Sequence, residues 1–198
     1  YPLRRQRQMC IRDSHRVNPI MQTCIGPSEE HVSMAGIPTE ASILDMVERA
    51  MPGRVQNVYA HSSGGGKFIA VIQFKKTVPS DEGRQRQAAL LAFSAFPELK
   101  QVILVDEDVD IFDTNDVLWA MTTRMQADVD IVTIPGVRCH PLDPSNDPAC
   151  SWSIRDHGIA CKTIYDATVP FNQKARFQRA KFMEVDVKKF LPDFTVQD

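Results

Sequence analysis

The sequence predicts an α/β fold, a mixed or mostly parallel sheet covered by helices, on three observations. First, 198 residues that are 43% hydrophobic and 24% charged can bury a sizeable core. Second, Val102 to Val105 is a short, wholly apolar run rich in β-branched residues, of the kind buried on both faces of a sheet. Third, the segments read in the order strand, helix, strand, strand, helix, strand, helix, strand, and such alternation builds a sheet with helices packed on it.

Val17 to Ile25 suits a short strand, ended by the Gly26-Pro27 breaker and an acidic turn from Ser28 to Glu30. After Pro38, Ile43, Leu44, Val47 and Ala50 recur at helical spacing. They predict a helix over Thr39 to Met51, with Thr39 as N-cap and Pro52-Gly53 as the stop. Arg54 to Ala60 and Phe68 to Lys75 read as strands joined by the glycine loop His61 to Lys67. Ser80-Asp81-Glu82 opens a helix whose Ala88, Leu91, Ala92 and Ala95 form an apolar stripe before Pro97. Asp113-Thr114-Asn115 caps a helix from Asp116 to about Met125, and Asp130 to Ile134 supplies another buried strand. Gly136 to Gly158 is long, irregular and rich in proline, and is expected to line a site. Thr163 to Val169 reads as a last strand and Asn172 to Lys189 as a terminal helical element.

A formal net charge of -2 gives no long-range field that would draw the molecule onto nucleic acid or an anionic membrane. No apolar run approaches the roughly 18 residues that span a bilayer, and no apolar signal core stands near the start, so a cytoplasmic setting is expected. The five cysteines, Cys10, Cys24, Cys139, Cys150 and Cys161, are scattered without metal-ligand spacing. They read as free thiols in a reducing compartment. Tyr1 to Ser14 carries four arginines and two glutamines with no helical or strand period. It is read as adaptor-derived rather than native, which leaves 15–198 as one α/β domain of a longer chain.

Three stretches have chemical potential. The run Gly64-Gly65-Gly66-Lys67 resembles part of a phosphate-binding loop but leads into a strand rather than a helix, so a tight turn competes with anion binding. Lys67 at its end is placed to offer a charge to a carboxylate or phenolate. Asp106-Glu107-Asp108-Val109-Asp110 packs four carboxylates after a buried strand. It lacks the glycine and spacing of a calcium loop and reads as a solvated strand-end acidic turn, with Asp106 or Asp113 capping neighbouring backbone. His140 lies in a proline-stiffened loop after a predicted strand, the strand end at which open sheets place ligands, and could move a proton near neutral pH. His31 and His157 are weaker candidates, and His15 and His61 read as surface residues. No GxSxG elbow, HExxH or GxGxxG motif is present.

The run VILVDEDVDIFDTNDVLWAMTTRMQADVDIVTIPGVRCHPLDPS, Val102 to Ser145, resembles the C-terminal segment of the UbiD family of decarboxylases that use prenylated FMN. NPIMQTCIGPSEEH and SGGGKFIAVIQFKK are more weakly similar. GVRCHPLDPS looks most like the gallate and protocatechuate members. The resemblance implies that His140 contacts the ring hydroxyls, that Leu142 packs on the aromatic ring with Arg138 and Pro141 as further substrate-binding residues, and that the base drawing off the hydroxyl proton is His140, or His31 with Lys67. It implies non-oxidative loss of CO2 from a hydroxybenzoate through a covalent adduct of prenylated FMN serving as electron sink. The proton-transfer triad and the ligands for the flavin phosphate's Mn2+ and K+ would lie N-terminal to this region. The chain alone is therefore expected to be inactive. Implied partners are the aromatic acid, a homo-oligomer (dimer or hexamer) and a flavin prenyltransferase that supplies the cofactor. Two other readings remain open here: a non-catalytic oligomerisation domain, and a nucleotide-binding α/β module using GGGK and the acidic turn.

Overall fold

The computed structural model describes residues 29–141, 143–146, 159–180 and Lys189. The segment Tyr1 to Ser14, the strand expected at Val17 to Ile25, His15, Leu142 and His157 lie outside these residues.

Five strands form one mixed sheet in the order β1-β2-β3-β5-β4: β1 Val55–Ala60, β2 Ile69–Phe74, β3 Gln101–Val105, β4 Ile131–Arg138 and β5 Ile159–Ala167. The central strands β2, β3 and β5 run parallel, and the outer strands β1 and β4 are antiparallel to their neighbours. Both faces are covered, as the apolar strands anticipate. Ala70, Ile72, Phe74, Val102 and Leu104 pack against Ile43 and Val47 of helix α1 (Glu29–Ala50) and Ala88, Ala89 and Ala92 of α2 (Arg84–Ala95). The alternate residues Val71, Val105 and Ala167 pack on the other face against Val117 and Ala120 of α3 (Thr114–Arg124). A single turn, α4 (Ala127–Asp130), leads into β4.

Two expectations are corrected. Thr39 does not cap a helix: α1 begins at Glu29 and runs through Pro38, and the Thr39 hydroxyl donates to the Ala35 carbonyl at 2.7 Å within it. Proline inside a helix removes one rung of the ladder and costs about 3 kcal/mol. Burial of Ile43 and Val47, and the close approach of Gly36 to Ala60, supply the tertiary contacts that outweigh it. Nor is the strand after Asp130 buried. Among the described residues β4 is an edge strand with a half-exposed surface, and its register with β5 slips between Ile134 and Val137, where Gly136 adopts φ +72°.

The other starts and stops follow local chemistry. Asp113 accepts from the Asn115 amide at 2.9 Å and caps α3, as expected. The Ser80-Asp81-Glu82 signal forms a 3-10 turn (Pro79–Asp81), and α2 proper starts after Gly83. The terminal helical element appears as a 3-10 helix, Phe171–Arg176. Its continuation beyond Ala180 lies, apart from Lys189, outside the described residues.

Candidate active site

Lys67 precedes β2, Glu98 precedes β3, and His140 follows β4. Because β4 is antiparallel to β5, with Arg138 opposite Ile159, the three meet over the amino ends of the parallel strands. His140 thus ends a strand, as expected, but at the opposite end of the sheet from the carboxyl ends of β2, β3 and β5. The reversed edge strand, invisible in the sequence, accounts for the difference.

Glu98 links the other two. Its Oε2 lies 3.4 Å from Lys67 Nζ and 3.5 Å from His140 Nε2. The His140 ring also meets Phe68 edge-on, with centroids 5.8 Å apart. Lys67 and Glu98 line a surface cavity of about 510 Å³ whose other wall is Met34, Pro38, Thr39 and Ser42 of α1, with Phe96. His31 sits in the first turn of the same helix; its side chain lies outside the described residues. Its neighbour Val32 presents a carbonyl to Gly66, so the backbone of His31 is carried close to the loop that ends in Lys67. Arg138 and Pro141 are exposed beside His140.

The His140 loop is fixed by its own motif. Asp143 is buried; its Oδ2 accepts from Lys100 Nζ at 2.7 Å and its Oδ1 from the Ser145 amide and hydroxyl. Lys100 also bonds the Ser145 hydroxyl. Burial alone would push the Asp143 carboxyl up, but these hydrogen bonds and the Lys100 charge hold it below the usual carboxylate range. The Asp143 amide donates to the His140 carbonyl at 3.1 Å. The residues after His140 therefore act as a clamp on it, which explains why an Asp-Pro-Ser sequence follows.

Glu98 is not legible in the sequence, where a lone glutamate before a strand carries no signal. Its backbone is held from below. Buried Lys162, on β5, donates to the carbonyls of Pro97 at 2.7 Å and Leu99 at 2.6 Å, on either side of Glu98. The thiol of buried Cys139 donates to the carbonyl of Glu98 itself.

The glycine loop is no anion cradle. The amides of Gly64, Gly65, Gly66, Lys67 and Phe68 all donate to carbonyls within the loop, leaving none for a phosphate. Gly66 is glycine for another reason: it has φ +67°, and a Cβ there would lie 2.6 Å from the Val32 carbonyl. The nucleotide-binding reading loses its loop, and these residues do not fit a flavin phosphate. His61 is not a surface bystander either. Its Nδ1 accepts from the Ser63 amide at 3.1 Å, and its Nε2 lies 2.8 Å from the Thr114 hydroxyl, tying the loop to α3.

The acidic turn is likewise not simply solvated. Asp106 is buried, accepts from the Val169 amide at 2.7 Å and pairs with buried Arg124, which also holds Asp108 at 2.6 Å. Burial pushes the Asp106 carboxyl up despite these partners. A larger cavity, about 660 Å³, opens here, lined by Asp106, Glu107, Asp108, Arg124, Lys174 and Arg179. These charges are paired with one another or stacked on Trp119. We place the site instead where two of the expected residues converge. Among the described residues, no group of three or more His, Cys, Asp or Glu is placed to hold a metal ion.

The model of the 3-octaprenyl-4-hydroxybenzoate carboxy-lyase C-terminal domain, UbiD_C, matches residues 32–167. The chain belongs to the UbiD family. A gallate decarboxylase of Lactiplantibacillus plantarum is 62% identical over 180 residues, 90% of this chain and 37% of the relative. The apo structure of a 3,4-dihydroxybenzoic acid decarboxylase from Enterobacter cloacae superposes with a TM-score of 0.82 at 63% identity, covering 88% of this chain and 36% of that one. The UbiD-class enzyme HmfF from Pelotomaculum thermopropionicum, solved with FMN, gives a TM-score of 0.76 at 34% identity over 91% of this chain and 38% of its own. An evolved dimeric form of it, solved with prFMN, gives 0.65 at 29% identity over 92% and 34%. This UbiD-family chain thus spans about a third of the length of the relatives it matches, and the mixed sheet is the fold of that class.

Proposed function

We propose that this chain supplies the hydroxyl-recognising side of a decarboxylase that releases CO2 non-oxidatively from a hydroxybenzoate such as gallate or protocatechuate. The observation that carries the reading is the convergence of Lys67 and His140 on one carboxylate beside the α1 cavity. The 62% identity to a gallate decarboxylase supports the substrate class. In this reading the imidazole of His140 takes the proton of a ring hydroxyl as the O–H bond breaks, and the Lys67 ammonium stabilises the phenolate that results. The phenolate pushes electron density toward the ring carbon bearing the carboxylate. That carbon takes up a proton from solvent with those electrons, and the pair of the C–CO2 bond returns to the ring as CO2 leaves. Leu142, Arg138 and Pro141 would border the ring, and His31 would approach from the start of α1.

Prenylated FMN, with Mn2+ and K+, belongs in this reading to a preceding part of a longer protein, of which this chain, on the coverage of its relatives, would be about a third. A flavin prenyltransferase would supply it, in the cytoplasm. No described helix is long and apolar enough to cross a membrane. Assembly into dimers or hexamers is part of the same proposal: Phe112, Leu118 and Trp119 stand exposed around α3, and light scattering of the purified protein measures the state directly.

The test is a complete enzyme carrying this chain, produced with a flavin prenyltransferase and followed by CO2 release from gallate and protocatechuate. We expect activity that depends on the prenyltransferase and falls by about 10²-fold or more in His140→Ala. A folded, flavin-loaded enzyme inactive on every hydroxybenzoate would overturn the reading.

A further inference from the structure

Glu98, at the centre of the site, has no task in the reaction above. Its side chain is 38% exposed but Oε2 itself is buried, and among the described residues no hydrogen bond of good geometry reaches it. It stands instead at 3.4 and 3.5 Å from two donors, Lys67 Nζ and His140 Nε2. A buried oxygen in that position is a specific arrangement, since an unsatisfied carboxylate oxygen costs free energy. The backbone that carries it is pinned on both sides by Lys162 and at its own carbonyl by Cys139, so the position is built into the sheet. Among the described residues near the His140 loop, Lys100 and Asp143 are paired with each other, and Arg138 is exposed.

We propose that Glu98 is a positioning residue that binds Lys67 and His140 into one unit, its carboxylate holding the imidazole proton on Nε2 and the ammonium beside it. A carboxylate can only accept, so in this proposal the imidazole nitrogen that faces it carries hydrogen, and Glu98 favours that tautomer of the ring. The same oxygen faces the ammonium, so two groups on separate loops keep a fixed separation before any substrate arrives. The long distances suit a site that tightens around its ligand. The inference rests on the hydroxybenzoate reading for its purpose, but its geometry belongs to this chain.

Long-range 1H–15N spectra of the 198-residue chain test it without cofactor or substrate. We expect His140 to carry its proton mainly on Nε2, and the share of that tautomer to fall at least threefold in Glu98→Ala, with partial recovery in Glu98→Asp. Should Glu98→Ala not fold, Glu98→Gln removes the charge while keeping the volume, and the same shift is expected. A wild-type His140 protonated on Nδ1 alone, or an unchanged ratio in folded variants, overturns the inference. In the complete enzyme, Glu98→Ala should lower kcat/KM about tenfold or more, yet add little in a His140→Ala background, because the two act as one unit. The expected spectra with an enzyme inactive on hydroxybenzoates would overturn the functional reading alone; unchanged spectra with an active enzyme would overturn the Glu98 assignment alone.

Discussion

At the scale of single residues, buried charge decides most of what can be measured. Burial of Asp81 would raise its pKa, but the amides of Thr77 and Val78, Arg54 and the Thr77 hydroxyl bring it down to about 2. A carboxyl lowered by folding stabilises the protein above its unfolded pKa and loses that contribution as pH falls toward the folded value. We therefore expect about 2 kcal/mol of stability to disappear between roughly pH 4 and pH 2. Urea titrations should show that slope in the wild type and a flatter one in Asp81→Asn. Arg124 makes a sharper case. It is buried against Asp106 and Asp108, so Arg124→Met strands a buried carboxylate and should cost about 3–5 kcal/mol in the same assay. Arg124 stands 18 and 16 residues from Asp106 and Asp108, which is why the acidic run reads as a solvated turn in the sequence. For the same reason Glu98 escaped notice: nothing near it in sequence announces Lys67 or His140.

Secondary-structure elements were legible where their signals are local. The Asp113 cap, the apolar stripe of α2, the hairpin around the glycine loop and the β-branched run of β3 stand where the sequence places them. Pro38 misled because its cost is local whereas its compensation, the packing of α1 on β1 and β2, is tertiary. The glycine loop offers a test at this scale. Gly66→Ala puts a Cβ onto the Val32 carbonyl in a left-handed conformation and should cost at least about 2 kcal/mol, lowering Tm by several degrees. Gly65→Ala, with the same backbone sign but open space around it, should cost only about 1 kcal/mol. Equal effects in thermal denaturation would mean that the contact between α1 and the loop does not constrain position 66. That contact matters to the site, since it fixes Lys67 against the helix that bears His31.

For the whole molecule, the sequence yielded a sheet covered by helices but not its strand order. Alternation of elements cannot say that β5 inserts between β3 and β4, or that β4 runs backwards. That reversal moved His140 to the amino ends of the parallel strands, where a loop motif alone could not have put it. Spanning about a third of its relatives' length, the chain by itself is expected to release no CO2 from gallate; release by the purified 198 residues would show that the described cavity suffices. The irregularity of β4 has a further consequence. Pro135 offers no amide to an incoming strand, and Gly136 bends the backbone where β4 slips against β5. A stray β-segment from another molecule would find this border interrupted midway along its length, so the protein carries along β4 a guard against templated fibril growth.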